Sequence, residues 1–298
     1  MSGKFKLITG LGNKDANKVK DLVLLWMEAG ADIFDTSCST LPYLQKACAE
    51  AGYNLDNFEF CVSIALEGDI HGKKAKIDKD KCKLCGKCAG ACPEKAINPP
   101  FLDELKCIGC HHCKKVCKTG AISFYDEINN DLETLLKTNS KIDTVEIHIS
   151  IKDKKEIIKQ FKKIINLLNK NIKISVCLSR KYFSNSKTEK ILAKLKELSK
   201  ERDFVVQTDG CSMNGGKNDI SGTIEAVSYG LFVKSLGYEI ILSGGCNEFT
   251  APLAKKCGLD CSIAFGSFAR KLTEGIEHKE AVKIAKDFVG KTKEFIND

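Results

Sequence analysis

The sequence predicts an α/β fold: a closed (β/α)8 barrel of the TIM type, with a small cysteine-rich domain inserted after its third strand. Three observations carry this. Short β-branched runs alternate with amphipathic helical stretches along almost the whole chain, and repeated βα units build a parallel sheet. Eight such units are present. Setting Glu67 to Asp126 aside leaves about 240 residues, close to the ~250 typical of that barrel. An open doubly wound sheet shares the periodicity and is the alternative. The expected organisation is barrel strands 1–3 in residues 1–66, the insert in 67–126 and the rest of the barrel in 127–298.

In chain order, Phe5 to Gly10 reads as the first strand. Asn13 to Gly30 follows as a helix, with apolar Val19, Leu22, Leu25, Trp26 and Ala29 at helical spacing. A strand at Asp32 to Ser37, a helix at Leu41 to Ala51 and a strand at Phe58 to Leu66 come next. Beyond the insert, Ile128 to Leu136 reads as helix and Thr144 to Ser150 as strand. Helix Lys155 to Leu168 leads to strand Ile172 to Leu178, and helix Ser186 to Leu198 to strand Phe204 to Thr208. The chain continues with helix Thr223 to Leu236, strand Glu239 to Leu242, helix Ala251 to Lys256, strand Cys261 to Phe265 and a last helix from Lys279 to Phe295. The insert falls between a strand and its helix. In a barrel that junction lies on the C-terminal face, where active sites are built.

Composition narrows the function. No apolar run approaches the ~18 residues of a membrane span. The opening residues lack the apolar core of a secretory signal, so a soluble, cytoplasmic chain is expected. Cysteine stands out at 16 of 298 residues. Cytosolic thiols stay reduced, which points to metal or redox chemistry rather than a disulfide framework. The formal charge of +8 is dispersed, and Lys152, Lys154, Lys155, Lys162 and Lys163 fall on helical patterns as a solvated face. Nucleic acid, which needs a clustered basic surface, is not an expected partner.

The insert carries the strongest signal. Cys82, Cys85, Cys88 and Cys92-Pro93 follow the bacterial ferredoxin spacing, and Cys107, Cys110, Cys113 and Cys117 repeat it, with Lys118 in place of Pro. Three close thiolates reach three irons of one cube, and the fourth crosses to the other cluster. The expected sets are Cys82, Cys85, Cys88 and Cys117 for one [4Fe–4S] cluster, and Cys107, Cys110, Cys113 and Cys92 for the second. Zinc wants four ligands in paired CxxC units and does not explain two complete runs. His111 and His112 read as neighbours of a cluster rather than ligands. The segment resembles a two-cluster bacterial ferredoxin domain, which implies low-potential electron transfer.

Strand alternation predicts what lines the mouth. If Val145, Ile147 and Ile149 pack outward on helices, Glu146, His148 and Ser150 face inward. The same rule turns Gln207 and Asp209, Ser175, Cys177 and Ser179, Asp35 and Ser37, and Cys61 and Ser63 inward, with Arg180 just beyond. Asp35, His148, Arg180 and Asp209 are therefore the catalytic candidates, with His148 best matched to proton transfer near neutral pH. Cys38, Cys211 and Cys246 also follow strands, whereas Cys48 and Cys257 sit on helices. Glycines after strands 7 and 8 (Gly244, Gly245, Gly266), with Ser267 and Arg270, form a candidate phosphate cradle. FMN, which exchanges electrons singly or in pairs, is the expected cofactor there, and a phosphorylated substrate is the alternative occupant.

One family resemblance spans most of the chain. Asp209-Gly210-Cys211-Ser212-Met213-Asn214-Gly215, Ser221-Gly222-Thr223, Ser243 to Asn247, Ala264 to Arg270, the insert and the opening Lys6 to Gly10 together resemble the light-dependent period protein A (LdpA) family. That family is described as iron–sulfur proteins associated with redox sensing for a circadian clock. Cys211 stands where the family usually has Arg, and Cys246 where Thr is usual. The combined reading is an iron–sulfur oxidoreductase or electron-transfer protein. Its electrons would come from a ferredoxin, a flavodoxin or a small-molecule reductant, and reach a phosphate-bearing ligand at the mouth. The alternative is a non-enzymatic redox sensor signalling to a protein partner. A radical or sulfur-transfer enzyme ranks last, because all eight insert cysteines are used as ligands.

Overall fold

The computed structural model describes residues 3–10, 14–126, 131–210 and 220–297. Eight strands form the barrel: β1 (Phe5–Ile8), β2 (Ile33–Ser37), β3 (Glu59–Ala65) and, beyond the insert, β8 (Thr144–His148), β9 (Lys173–Ser179), β10 (Phe204–Asp209), β11 (Glu239–Ser243) and β12 (Ser262–Phe265). All pair in parallel, β12 closes onto β1, and β3 pairs directly with β8. The insert therefore interrupts the chain without interrupting the sheet. The barrel, rather than the open sheet, is the observed fold.

Each strand leads to a helix on the outside: α1 (Ala16–Glu28), α2 (Leu41–Glu50), α5 (Asp131–Leu135), α6 (Lys154–Leu167), α7 (Asn185–Ser199), α8 (Ile220–Ser235), α9 (Thr250–Lys256), and after β12 both α10 (Ser267–Thr273) and α11 (His278–Asn297). The starts are set by capping. Asp15 accepts from the Lys18 amide, and Asp153 accepts from the amides of Lys155 and Glu156. Gly210, at the exit of β10, is required by packing: a Cβ there would lie 2.5 Å from the Ala226 nitrogen of α8. The core is the layer between sheet and helices. Phe5 stacks on Trp26 and Phe265 at 5.4 and 4.8 Å, and Phe288 of α11 meets them edge-on.

The insert begins with a single 3-10 turn at Ile70–Gly72. Its strand β4 (Lys73–Ile77) pairs antiparallel with β7 (Ile122–Asp126), the short β5 (Ile97–Asn98) pairs with β6 (Phe101–Leu102), and two short helices, α3 (Lys87–Gly90) and α4 (His112–Val116), lie between. Buried Lys74 holds the second cysteine run in place, donating to the carbonyls of Glu104 at 2.9 Å and Cys107 at 2.6 Å. Gly109 has φ +69°, and a Cβ there would lie 2.2 Å from the Lys73 carbonyl oxygen. Among the described residues, no helix is long and apolar enough to cross a membrane.

Candidate functional site

Alternation divides the barrel strands sharply. Outward positions such as Phe5, Leu7, Val145, Ile147, Val176 and Leu242 are buried apolar residues. Inward positions carry Lys6, Asp35, Ser63, Glu146, His148, Ser175, Gln207 and Asp209, all buried or nearly so. An interior of this kind must pair its charges internally.

Lys6 is the centre of that pairing. Its Nζ lies 2.6 Å from Glu146 Oε2 and 2.9 Å from Asp35 Oδ2, and donates to Gln207 Oε1 at 2.8 Å. Gln207 Nε2 donates to Glu146 Oε1 at 2.6 Å, the Ser175 hydroxyl donates to Glu146 Oε2 at 3.0 Å, and the Ser63 hydroxyl donates to Asp35. Burial works against the Lys6 ammonium, but the charges of Asp35, Cys61 and Glu146 outweigh it and hold its pKa well above the ordinary lysine value. Lys6 is thus a fixed cation and not a nucleophile. Burial raises the Glu146 pKa, yet Lys6 and His148 carry it down to about 2. For Asp35, burial wins and the pKa is raised despite Lys6.

His148 stands above this ion cluster, its Nε2 3.2 Å from Glu146 Oε1. Burial disfavours the imidazolium, but Cys177 and Glu146 beside it raise its pKa well above the histidine norm. The Cys177 thiol is itself pushed up to about 11 by burial, so near neutral pH Glu146 supplies the counter-charge. His148 Nδ1 is buried with no hydrogen-bond partner among the described residues. Asp209 lies close by, its pKa raised to about 7 chiefly by burial. A second imidazole completes the group: the His71 ring lies 4.5 Å from that of His148. His71 Nδ1 is 2.8 Å from Asp69 Oδ1, and fully buried Asp69 also accepts from the Ser150 amide. Burial raises the Asp69 pKa, but its hydrogen bond to His71 and the nearby His148 charge bring it to about 2, while burial and His148 lower the His71 pKa.

These groups open into a cavity of about 890 Å³ at the C-terminal end of the barrel. Its floor includes Ser63, His148, Cys177, Gln207, Asp209 and Ser243. One wall comes from the barrel loops, with Gly244, Gly245, Cys246, Gly266, Ser267 and Arg270, and the opposite wall from the insert, with Pro93, Glu94, Ile108, His112 and Lys115. The insert is tied to the barrel through Glu94, which reaches Arg270 at 3.5 Å and Lys18 at 3.1 Å.

The expected site residues divide by position. His148 and Asp209 face the cavity, while Asp35 lies one layer deeper, behind Lys6. Arg180 departs from the expected rim. Its guanidinium donates to the Ser228 hydroxyl at 3.0 Å and lies 5.3 Å from the centre of the Tyr229 ring, on α8. Arg270 lines the cavity but already donates to the Ile8 carbonyl at 3.1 Å. Gly244 and Gly245 both have positive φ, 65° and 91°. Cys38 and Cys48 are buried, Cys257 is exposed, and Cys211 to Gly215 lie outside the described residues. Of the family-like segments, Thr223 donates to Asn247 Oδ1 at 2.9 Å and lies 2.8 Å from the Thr250 hydroxyl, pinning α8 to the loop after β11. The alternation that turned Glu146 inward would also have found Lys6, flanked by outward Phe5 and Leu7. Asp69 and His71 lie in a linker turn with no periodicity to betray them.

Seven of the eight insert cysteines fall into two groups that cross between the runs. Cys92 of the first run lines one small cavity with Cys107, Cys110 and Cys113 of the second. Burial raises the Cys110 thiol, and Cys92 and Cys107 raise it further. Burial likewise raises Cys88, with added repulsion from Cys82 and from Cys117 of the other run. Crowded, mutually repelling thiols around one space form a donor set that suits a multi-iron cation core.

Comparisons with known proteins match the insert and the rest of the chain separately. Residues 75–98 and 100–123 match the 4Fe-4S binding domain family, a module of iron–sulfur electron transfer. The curated relatives overlap the chain only in part. An uncharacterized protein of Methanocaldococcus jannaschii (MJ0749) is 41% identical over 51 residues, 17% of this chain and 21% of that protein. Indolepyruvate oxidoreductase subunit IorA of Methanothermobacter marburgensis is 38% identical over 60 residues, 19% of this chain and 10% of that one. The chain thus spans about a fifth or less of the length of these two relatives. An uncharacterized ferredoxin of M. jannaschii (MJ0265) is 29% identical over 134 residues, covering 37% of this chain and 81% of its own. Among solved structures, deoxyribose phosphate aldolase from Aeropyrum pernix superposes with a TM-score of 0.51 at 11% identity, covering 96% of this chain and 90% of that one, a likeness of fold alone. Residues 135–295, more than half of the sequence, match the family described as the light dependent period A C-terminal domain, and the chain belongs to that family.

Proposed function

We propose that this protein is an iron–sulfur oxidoreductase acting on a ligand held between the insert and the barrel mouth. One observation carries the reading: residues beside the cysteines (Pro93, Glu94, Ile108, His112) and the proton-holding groups His148 and Asp209 line the same cavity. Cys82, Cys85, Cys88 and Cys117 would hold one [4Fe–4S] cluster, and Cys92, Cys107, Cys110 and Cys113 the other. When bound, such clusters supply single electrons at low potential.

The chain's own residues manage protons and position. Glu146 keeps a proton on His148, which faces the ligand space. Asp209, titrating near 7, exchanges a second proton at physiological pH. Lys6, paired with Asp35, fixes Glu146 from below, and Asp69 orients His71 beside His148. Gly244, Gly245, Gly266 and Ser267 offer backbone and hydroxyl donors to a phosphate, with Arg270 supplying positive charge. FMN is the proposed occupant, since the cavity volume falls in the range of cofactor sites and a flavin would supply one- and two-electron chemistry. A phosphorylated substrate would use the same donors. The electron donor would be a ferredoxin, a flavodoxin or a small reductant. The bridge from Glu94 to Arg270 and Lys18 favours a second reading, a redox sensor in which the insert signals through the barrel.

The test is to denature anaerobically prepared protein and analyse the supernatant. Flavin or another phosphate-bearing compound at one per chain supports the enzyme. A barrel that releases nothing and binds neither FMN nor phosphate esters overturns it and leaves the sensor. With a ligand in hand, His148→Ala should lower turnover by about 10²–10⁴-fold while cluster absorption is unchanged.

A further inference from the structure

The two cysteine groups meet very different surroundings. Cys107 and Cys113 are buried, and their neighbours face the barrel cavity. Around the first run, by contrast, Lys83, Leu84, Cys85, Gly86 and Lys87 form an unbroken exposed stretch. Leu84 is 63% exposed, the most exposed of the molecule's large apolar side chains among the described residues, and its φ of +52° sets it in the left-handed region, on the loop between two cysteines. Lys118, adjacent to Cys117, is exposed as well. Among the described residues, no carboxylate forms an ion pair with Lys83, Lys87 or Lys118, whereas neighbouring Lys81 pairs with Asp78.

A leucine on an exposed loop costs solubility and contributes nothing to the core, and two ammonium groups in the same stretch, with a third beside Cys117, add a local positive field. An exposed apolar side chain set in a stretch with an excess of one sign of charge is the anatomy of a small protein–protein contact that charge steers into register. The site is too small and its positive charge too local for a nucleic-acid track. We infer that Leu84, with Lys83 and Lys87 in the same exposed stretch and Lys118 beside Cys117, is a docking surface for an acidic redox protein, seated against the exposed Cys85 end of the insert. The inference rests on the reading of the insert as an iron–sulfur module, and it gives that module two faces: a basic outer face for the partner and an inner face for the cavity ligand. Redox encounters of this kind bury little area, so the contact is transient and salt-sensitive.

The experiment is titration calorimetry of anaerobically reconstituted full-length protein with flavodoxin as the acidic probe. Binding should weaken about tenfold or more between low and high ionic strength. The Lys83→Glu/Lys87→Glu variant should weaken it about tenfold or more at low salt. Leu84→Ser should weaken binding with its salt dependence retained. The control Lys162→Glu/Lys163→Glu, on α6, should bind as wild type. Circular dichroism and cluster absorption matching wild type show that each variant is folded and loaded. Absence of binding, an affinity indifferent to salt, or equal losses in the α6 control would overturn the docking surface. Failure of the underlying reading would show separately, as wild-type protein without cluster absorption before any probe is added.

Discussion

Outside the barrel sheet, Phe5, Trp26, Phe265 and Phe288 interlock within a continuous apolar layer that runs round nearly all the helices. In the insert the buried apolar cluster is Ala75, Cys88, Ala96, Ile97, Cys107, Cys113 and Ile122, so three of its seven members are cysteines expected to bind iron. The barrel can be held by its own hydrocarbon, while the insert cannot. A domain of about 60 residues is marginal on its own core, and for a metal-bound module the binding energy is folding energy. The contrast also runs the other way. The barrel carries its chemical risk inside, in a buried Lys6–Glu146–Asp35 ion cluster, whereas in the insert, apart from Asp69 and Lys74, most charged side chains are exposed or half-buried.

Iron removal should break the comparison open. Chelation under reducing conditions is expected to melt the insert and leave the barrel folded. Limited proteolysis should cut within 67–126 about tenfold faster or more in stripped protein, with the barrel's far-ultraviolet circular dichroism largely retained. Loss of the whole molecule's structure would show that the insert and barrel fold as one unit. Lys6→Met strikes the barrel instead. It leaves Glu146 and Asp35 buried without their cation and should cost about 3–5 kcal/mol in denaturant unfolding, with iron content unchanged. Adding Glu146→Gln to that variant should recover part of the loss.

Asp209 gives a pH signature. Its pKa is raised from 3.8 to about 7 in the fold, so between those values the native state binds more protons than the unfolded chain. Its contribution to stability is therefore full below pH 3.8 and falls as pH rises through 7. Asp209→Asn should leave stability at low pH almost unchanged and raise it above neutral pH by a few kcal/mol, at about 1.4 kcal/mol per pKa unit. Stability measured across that range with no difference in slope would remove Asp209 as a proton-exchanging group. The smallest effect is expected at the seam: Glu94→Gln weakens partly exposed pairs to Arg270 and Lys18 and should cost less than about 1 kcal/mol.

How much of this was legible in the sequence depends on period. The strand alternation around Val145 to Ile149 carried both the barrel and the inward placement of Glu146 and His148. A period of two assigns a face wherever one side is apolar. The same rule, followed through β1, would have assigned Lys6, whose role is visible only once Glu146 and Asp35 converge on it from distant strands. Arg180 followed a strand end, where alternation no longer constrains direction, and Tyr229 and Ser228 of α8 claim it. Asp69 and His71 belong to a linker turn placed by tertiary contacts with Ser150 and His148. In the insert the two cysteine runs looked equivalent. Only the fold brings Cys92 together with Cys107, Cys110 and Cys113 and leaves the 83–87 stretch of the first run exposed.

The most direct test of this account is the iron and acid-labile sulfide content of anaerobically reconstituted protein, beside Cys110→Ala. Two clusters predict about eight irons and eight sulfides per chain, falling to about four of each when the cavity-side set loses Cys110. Four irons in the wild type, or a Cys110→Ala variant that retains the full complement, would contradict a second cluster at the wall of the barrel cavity.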